Sequence, residues 1–129
     1  MKNTKVILIV LSLILLLTAC TSKGESPEVE NVEINVSIDE AKELLEKEDD
    51  LFILDVRTKE EFEEAHIEGA VQIPVDELKA RLAEIENYKD APMLIYCRSG
   101  NRSSVAVEIL LENNFTEIYH MNDGFMNWK

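Results

Sequence analysis

Residues 93–96, Met-Leu-Ile-Tyr, form a continuous apolar run that stops at Cys97, and a polar stretch through Ser104 separates it from the helix-like run 105–111. A short run without polar alternation is the pattern of a strand covered on both faces. Strand, short loop and helix in that order place the residue at the strand's carboxyl end against the positive end of the helix dipole. Here that residue is a cysteine, and such surroundings favour its thiolate. Arg98 and Arg102 bring cationic charge within reach, and Gly100 permits a backbone conformation in which successive N–H groups, flanked by Ser99 and Asn101, turn inward as an anion nest. Free cysteines usually serve as small buried hydrophobes. A cysteine packed for that purpose needs neither the arginines nor the glycine, so the expected object is an activated thiol in an anion cradle.

A second apolar run, residues 51–54, is expected to be a central strand of the same kind, with Asp55 and Arg57 at its carboxyl end. In an open α/β sheet ligands bind along that edge, which puts Asp55 and Arg57 near the cysteine loop. Their expected roles are structural: Asp55 accepting from loop N–H groups, and Arg57 pairing with Glu60 or Glu61. Before this strand, Val32, Ile34 and Val36 alternate with polar residues, as in a short edge strand with one buried face. Ser37 and Glu40 then form a capping box for a helix whose Ile38, Ala41, Leu44 and Leu45 share a face and which ends at Asp49-Asp50.

After it, Thr58 and Glu61 cap a short helix over residues 58–64, anchored by Phe62. His66, beside a turn with Gly69, is expected to hydrogen-bond backbone rather than act as an acid or base. Val71 and Ile73 are expected to face inward before Pro74 ends their strand. An amphipathic helix follows over residues 76–85 with Leu78, Leu82 and Ile85 on one face. Ser103 is expected to open the helix after the cysteine, carrying Ala106, Ile109 and Leu110 against the sheet and closing at Asn113-Asn114, where Asn tolerates the left-handed cap. Residues 117–119 form a last short strand, and Trp128 is a packing residue. Strands alternating with helices give an α/β fold with a central parallel sheet flanked by helices.

The first residues read differently. Lys2 and Lys5 precede an apolar run over residues 6–17, too short to span a bilayer, and Leu17-Thr18-Ala19-Cys20 ends it with small residues and a cysteine. Leu17-Thr18-Ala19-Cys20 resembles the lipobox of bacterial lipoproteins, in which the cysteine is lipidated and begins the mature chain. The expected division is a lipoprotein signal peptide over 1–19, a Ser/Gly/Glu/Pro tether over 20–31 and a domain over 32–129, anchored to a bacterial membrane outside the cytoplasm through Cys20. The full 129-residue chain has a formal charge of −13. Losing the two leader lysines takes it to −15, a value that excludes an electrostatic footprint for nucleic acid and leaves membrane attachment to the lipid. With Cys20 lipidated, Cys97 has no disulfide partner in a compartment where disulfides are normal, which again argues for chemistry over scaffolding. One thiol and two scattered histidines lack metal-site spacing, so neither a metal nor a cofactor is expected.

Asp55-Val56-Arg57, Glu61-Phe62, His66-Ile67-Glu68-Gly69-Ala70, Ile73-Pro74 and the loop Cys97-Arg98-Ser99-Gly100-Asn101-Arg102-Ser103 together resemble a single-domain rhodanese over residues 32–129. The resemblance implies a parallel sheet flanked by helices, and a cysteine that takes sulfane sulfur from a donor such as thiosulfate. It further implies a persulfide held by loop N–H groups until transfer to cyanide or a thiol, with a redox or sulfur-relay protein as an expected partner. Cys97 matches the family nucleophile. Ala65, Gln72, Asn114 and Asp123-Gly124 depart from the usual pattern, and none of these positions is expected to touch the cysteine loop.

Two rival readings remain at this level. A phosphatase of related fold places five residues between its cysteine and arginine, whereas four lie between Cys97 and Arg102, a smaller cradle suited to a sulfur atom. A sulfur-carrier or binding module acting with a protein partner is the other, and the retained Cys97 favours catalysis over it.

Overall fold

The computed structural model describes residues 30–129. The leader, Cys20 and nearly all of the tether lie outside the described residues. Five strands, β1 (Val32–Val36), β2 (Phe52–Asp55), β3 (Val71–Gln72), β4 (Met93–Tyr96) and β5 (Glu117–Met121), form one sheet in the order β1-β5-β4-β2-β3. Every pairing is parallel. The helices are α1 (Ile38–Lys47), α2 (Lys59–Glu64), α3 (Val75–Arg81) and α4 (Asn101–Glu112).

The two unbroken apolar runs occupy the sheet's interior because only residues apolar on both sides can face two covering layers. Phe52, Leu54, Met93 and Ile95 point into one core with Leu78 of α3 and Ala106, Val107 and Leu110 of α4. Their neighbours Ile53, Leu94 and Tyr96 point into the other, with Ala41 of α1, Phe125 and Trp128. Both anticipated capping boxes are present, Ser37 with Glu40 and Thr58 with Glu61. Asn114 takes the left-handed conformation (φ 65°) just beyond α4.

Several elements differ from the expectation. In β1 only Val36 is buried; Val32 and Ile34 are exposed, because this strand is the sheet's edge and no helix covers its first residues. Val71 points outward on the opposite edge strand, and only Ile73, just past β3, enters the core. The helix expected over 76–85 is α for its first two turns and then tightens to 3-10 geometry at Leu82–Glu84, which still delivers Ile85 to the core. Most consequential, α4 begins at Asn101 rather than Ser103, and β5 runs on to Met121. The first change shortens the cysteine loop to Cys97–Gly100; the second makes His120 a strand residue.

Candidate active site

The carboxyl ends of β2 and β4 lie side by side, with Asp55 paired in register to Tyr96. From the β4 end, Cys97 is 1% exposed, and the chain reverses through Gly100 (φ 95°) directly into α4. A Cβ at Gly100 would collide with the Asn122 carbonyl as well as strain the backbone, so this position requires glycine. The Gly100 N–H donates to Cys97 Sγ at 3.0 Å, and the Ser103 hydroxyl lies 3.3 Å from the same sulfur. Burial pushes the Cys97 thiol up, but the hydroxyl and amide of Ser103 and the amides of Ser99 and Gly100 together outweigh it, leaving the thiol more acidic than an ordinary cysteine.

The inward turn of those amides has a cause in the C-terminal segment. Phe125 N–H donates to the Cys97 carbonyl (2.8 Å) and Met126 N–H to the Arg98 carbonyl (3.1 Å), which pins both loop carbonyls away from the sulfur. Gly124 (φ 72°) lets the chain pass so close that a Cβ there would meet the Arg98 carbonyl. The expectation that the Asp123-Gly124 departure leaves the cysteine loop untouched is therefore overturned: this turn braces the loop. The physical reason is the strand order: β5 is β4's neighbour, and the segment that follows β5 hydrogen-bonds the loop that follows β4.

The anticipated arginines separate into different roles. Arg57 does not pair with Glu60 or Glu61; its guanidinium is bound to Asp55 through Nη2 (2.6 Å) and Nε (3.0 Å), with Nη2 also donating to the Ala65 carbonyl. The Arg57 N–H donates to Asp55 Oδ1 at 2.9 Å, so the carboxylate does serve loop backbone as expected. Arg102 is held by Glu61 of α2 (2.7 and 2.9 Å), which draws the Glu61 carboxyl down to about 2, while the guanidinium stays within electrostatic reach of Cys97. Arg98 has an exposed side chain and, among the described residues, no ion-pair partner. It borders an open cleft of about 340 Å³ with Arg57, Glu61, Phe125, Met126 and Trp128. Asn101 opens α4 with its side chain exposed. His66 Nδ1 lies 2.7 Å from the Phe62 carbonyl, the backbone contact anticipated for it.

Three residues were missed. Ser103 Oγ also lies 2.8 Å from His120 Nε2, and His120 Nδ1 is 3.2 Å from Glu33 Oε1 on β1. Extending the period-two alternation of β5 by one residue would have put His120 on the same face as buried Ile118, beneath α4.

Residues 37–129 match the family described as Rhodanese-like domain. The chain belongs to the rhodanese-like domain family. This rhodanese-like chain is 43% identical over 76 residues to the uncharacterized protein YqhL of Bacillus subtilis, spanning 59% of its own length and 59% of that relative's. It is 36% identical to the thiosulfate sulfurtransferase GlpE of Coxiella burnetii over 70% of this chain and 81% of the relative. A crystal structure of a rhodanese-like domain protein from Staphylococcus aureus superposes with a TM-score of 0.64 at 32% identity, over 74% of this chain and 90% of the other. The central parallel sheet flanked by helices is thus the family's architecture.

Proposed function

We propose that this domain is a sulfurtransferase that moves sulfane sulfur from an anionic donor such as thiosulfate, through a persulfide on Cys97, to cyanide or a thiol. The observation that carries the reading is the convergence of backbone amides and one hydroxyl on a single buried sulfur. The Cys97 thiolate attacks the outer sulfur of thiosulfate, the donor's S–S bond breaks, and sulfite leaves with the electron pair. The terminal sulfur of the new persulfide is itself anionic and falls to the same N–H donors, so one cradle serves both covalent states. Cyanide then attacks that terminal sulfur and leaves as thiocyanate, returning the thiolate. Arg98, which lines the cleft and has no ion-pair partner among the described residues, attracts the donor in this reading. Cys97 is 1% exposed beside this cleft, so in this reading the donor reaches the sulfur only when the loop opens to it.

The test is thiosulfate:cyanide turnover in the full chain and in Cys97→Ser. Turnover in the wild type that falls to background in a folded serine variant is the expected result; equal turnover in both removes the nucleophile assignment. We also propose that Cys20 carries the lipid anchor of an extracytoplasmic protein, a reading supported by the sequence around it alone. Mass analysis of the native N-terminus tests it, and an unmodified Cys20 contradicts it.

A further inference from the structure

Behind Cys97 a chain of polar groups runs through the core to the sheet's edge: Sγ to Ser103 Oγ at 3.3 Å, Oγ to His120 Nε2 at 2.8 Å, and Nδ1 to Glu33 Oε1 at 3.2 Å. Ser103 is fully buried and His120 is 2% exposed, whereas the Glu33 side chain is 36% exposed. The chain therefore joins a sealed sulfur to solvent at the sheet's β1 edge, through residues that do not line the cleft. We infer that Ser103, His120 and Glu33 form a proton relay that takes the thiol proton from Cys97 inward through the serine, leaving a thiolate at one end and an imidazolium paired with Glu33 at the other. The inference rests on Cys97 being the reactive group and adds the means by which it is deprotonated.

The hydrogen positions balance in both states. With the thiol protonated, S–H donates to Oγ, Oγ–H donates to Nε2, and Nδ1–H donates to Glu33. On transfer the S–H bond breaks as a new Oγ–H bond forms, and the former hydroxyl proton moves to Nε2. Nε2–H then donates to Oγ, Oγ–H donates to the thiolate, and Nδ1–H still donates to Glu33. No proton is gained or lost, and every donor keeps an acceptor. The Gly100 carbonyl, 3.0 Å from the hydroxyl, is a competing acceptor that the O–H leaves when it donates to Nε2.

The groups that face the imidazole are few. From β1 it meets Glu33, from α4 the Ser103 hydroxyl, and from the end of β4 the Cys97 sulfur behind that hydroxyl. The charged side chains of α4 turn elsewhere: Arg102 to Glu61, Glu108 and Glu112 to solvent. Glu33 is thus the one carboxylate in contact with the ring among the described residues. Ser103 touches the reacting sulfur, while His120 and Glu33 act through it as positioning residues.

The experiment is the pH dependence of Cys97 alkylation by iodoacetamide in the full chain, quantified at the Cys97 peptide so that Cys20 does not enter. The wild type is expected to show two ionisations, one for each end of the coupled pair. His120→Asn keeps a polar group against Ser103 but cannot titrate; it should show one ionisation and react about tenfold more slowly at neutral pH, the scale set by one charge-assisted hydrogen bond. Ser103→Ala should match its rate, the double variant should be no slower than either single one, and Ser103→Thr should restore the wild-type profile. Glu33→Gln, at the exposed edge, removes the anion that favours the imidazolium, so a smaller share of the alkylation should fall in the lower ionisation. An unchanged profile in folded His120→Asn overturns the relay, as does an unchanged profile in Glu33→Gln if the buried variants do not fold. Thiosulfate turnover separates the two claims. Turnover with unaltered variant profiles overturns the relay alone, and altered profiles in a chain without turnover overturn the sulfurtransferase reading alone.

Discussion

The ends of β2 and β4 are neighbours with the same apolar pattern, and each delivers one buried acidic group to the same edge of the sheet; what differs is how the charge is met. Asp55 is met by a full opposite charge, the Arg57 guanidinium, both side chains being 5% exposed or less. Cys97 is met by neutral dipoles, the loop amides of Ser99 and Gly100 with the amide and hydroxyl of Ser103 in the first turn of α4. A carboxylate whose charge is compensated by a buried guanidinium is a poor base and nucleophile and becomes structure. A thiolate held by dipoles is stabilised enough to form yet remains a nucleophile. Arg57 completes the division by lying 4.3 Å from the Phe125 ring, so the inert pair supports the segment that braces the reactive loop.

The comparison is broken most severely at the pair. Asp55→Ala leaves a buried guanidinium with no counter-charge, and the expected cost is about 3–5 kcal/mol. A denaturant midpoint close to wild type would show that the pair is dispensable and that the two strand ends are less different than the contacts indicate.

The brace is the next place to press. Gly124→Ala demands a positive φ of a residue with a Cβ and drives that atom into the Arg98 carbonyl. The expected outcome is a loss of roughly 1–3 kcal/mol from backbone strain together with slower alkylation of Cys97, as displaced carbonyls release the amides from the sulfur. Stability lost without any change in thiol reactivity would detach the brace from the cradle.

Much of this arrangement was legible in the chain. Residues 51–54 and 93–96 showed buried strands because nothing polar interrupts them, and the capping boxes showed because their chemistry is local. The partners of the arginines were not legible, since Glu61 lies 41 residues before Arg102 and only the packing of α2 against the start of α4 brings them together. His120 was hidden for a related reason. A histidine at a strand's end reads as a surface residue until the neighbouring helix is known to begin two residues earlier and to set Ser103 against it. The bracing by residues 124–126 depends on strand order, which no local pattern records.

A smaller effect sharpens the contrast between an ion pair that is buried and one that is not. Glu61, with its carboxyl drawn down to about 2 by Arg102 and by the Thr58 cap, contributes stability that is complete above the ordinary carboxylate range. As pH falls from about 4.5 toward about 2 that contribution disappears, because the unfolded carboxyl takes its proton first. Partly exposed pairs of this kind are worth at most about 1 kcal/mol. Glu61→Gln should therefore flatten the acid limb of the stability profile only slightly, and a large change there would place Glu61 beside Asp55 as a structural anchor.

The most direct measurement of the central claim, that dipoles at the start of α4 hold Cys97 as a thiolate able to carry sulfane sulfur, is the intact mass of the purified chain after thiosulfate and again after cyanide. The account predicts the gain of one sulfur atom, located to Cys97, and its complete loss on adding cyanide. A chain whose mass never changes in thiosulfate, with Cys97 still reduced and open to alkylation, contradicts it.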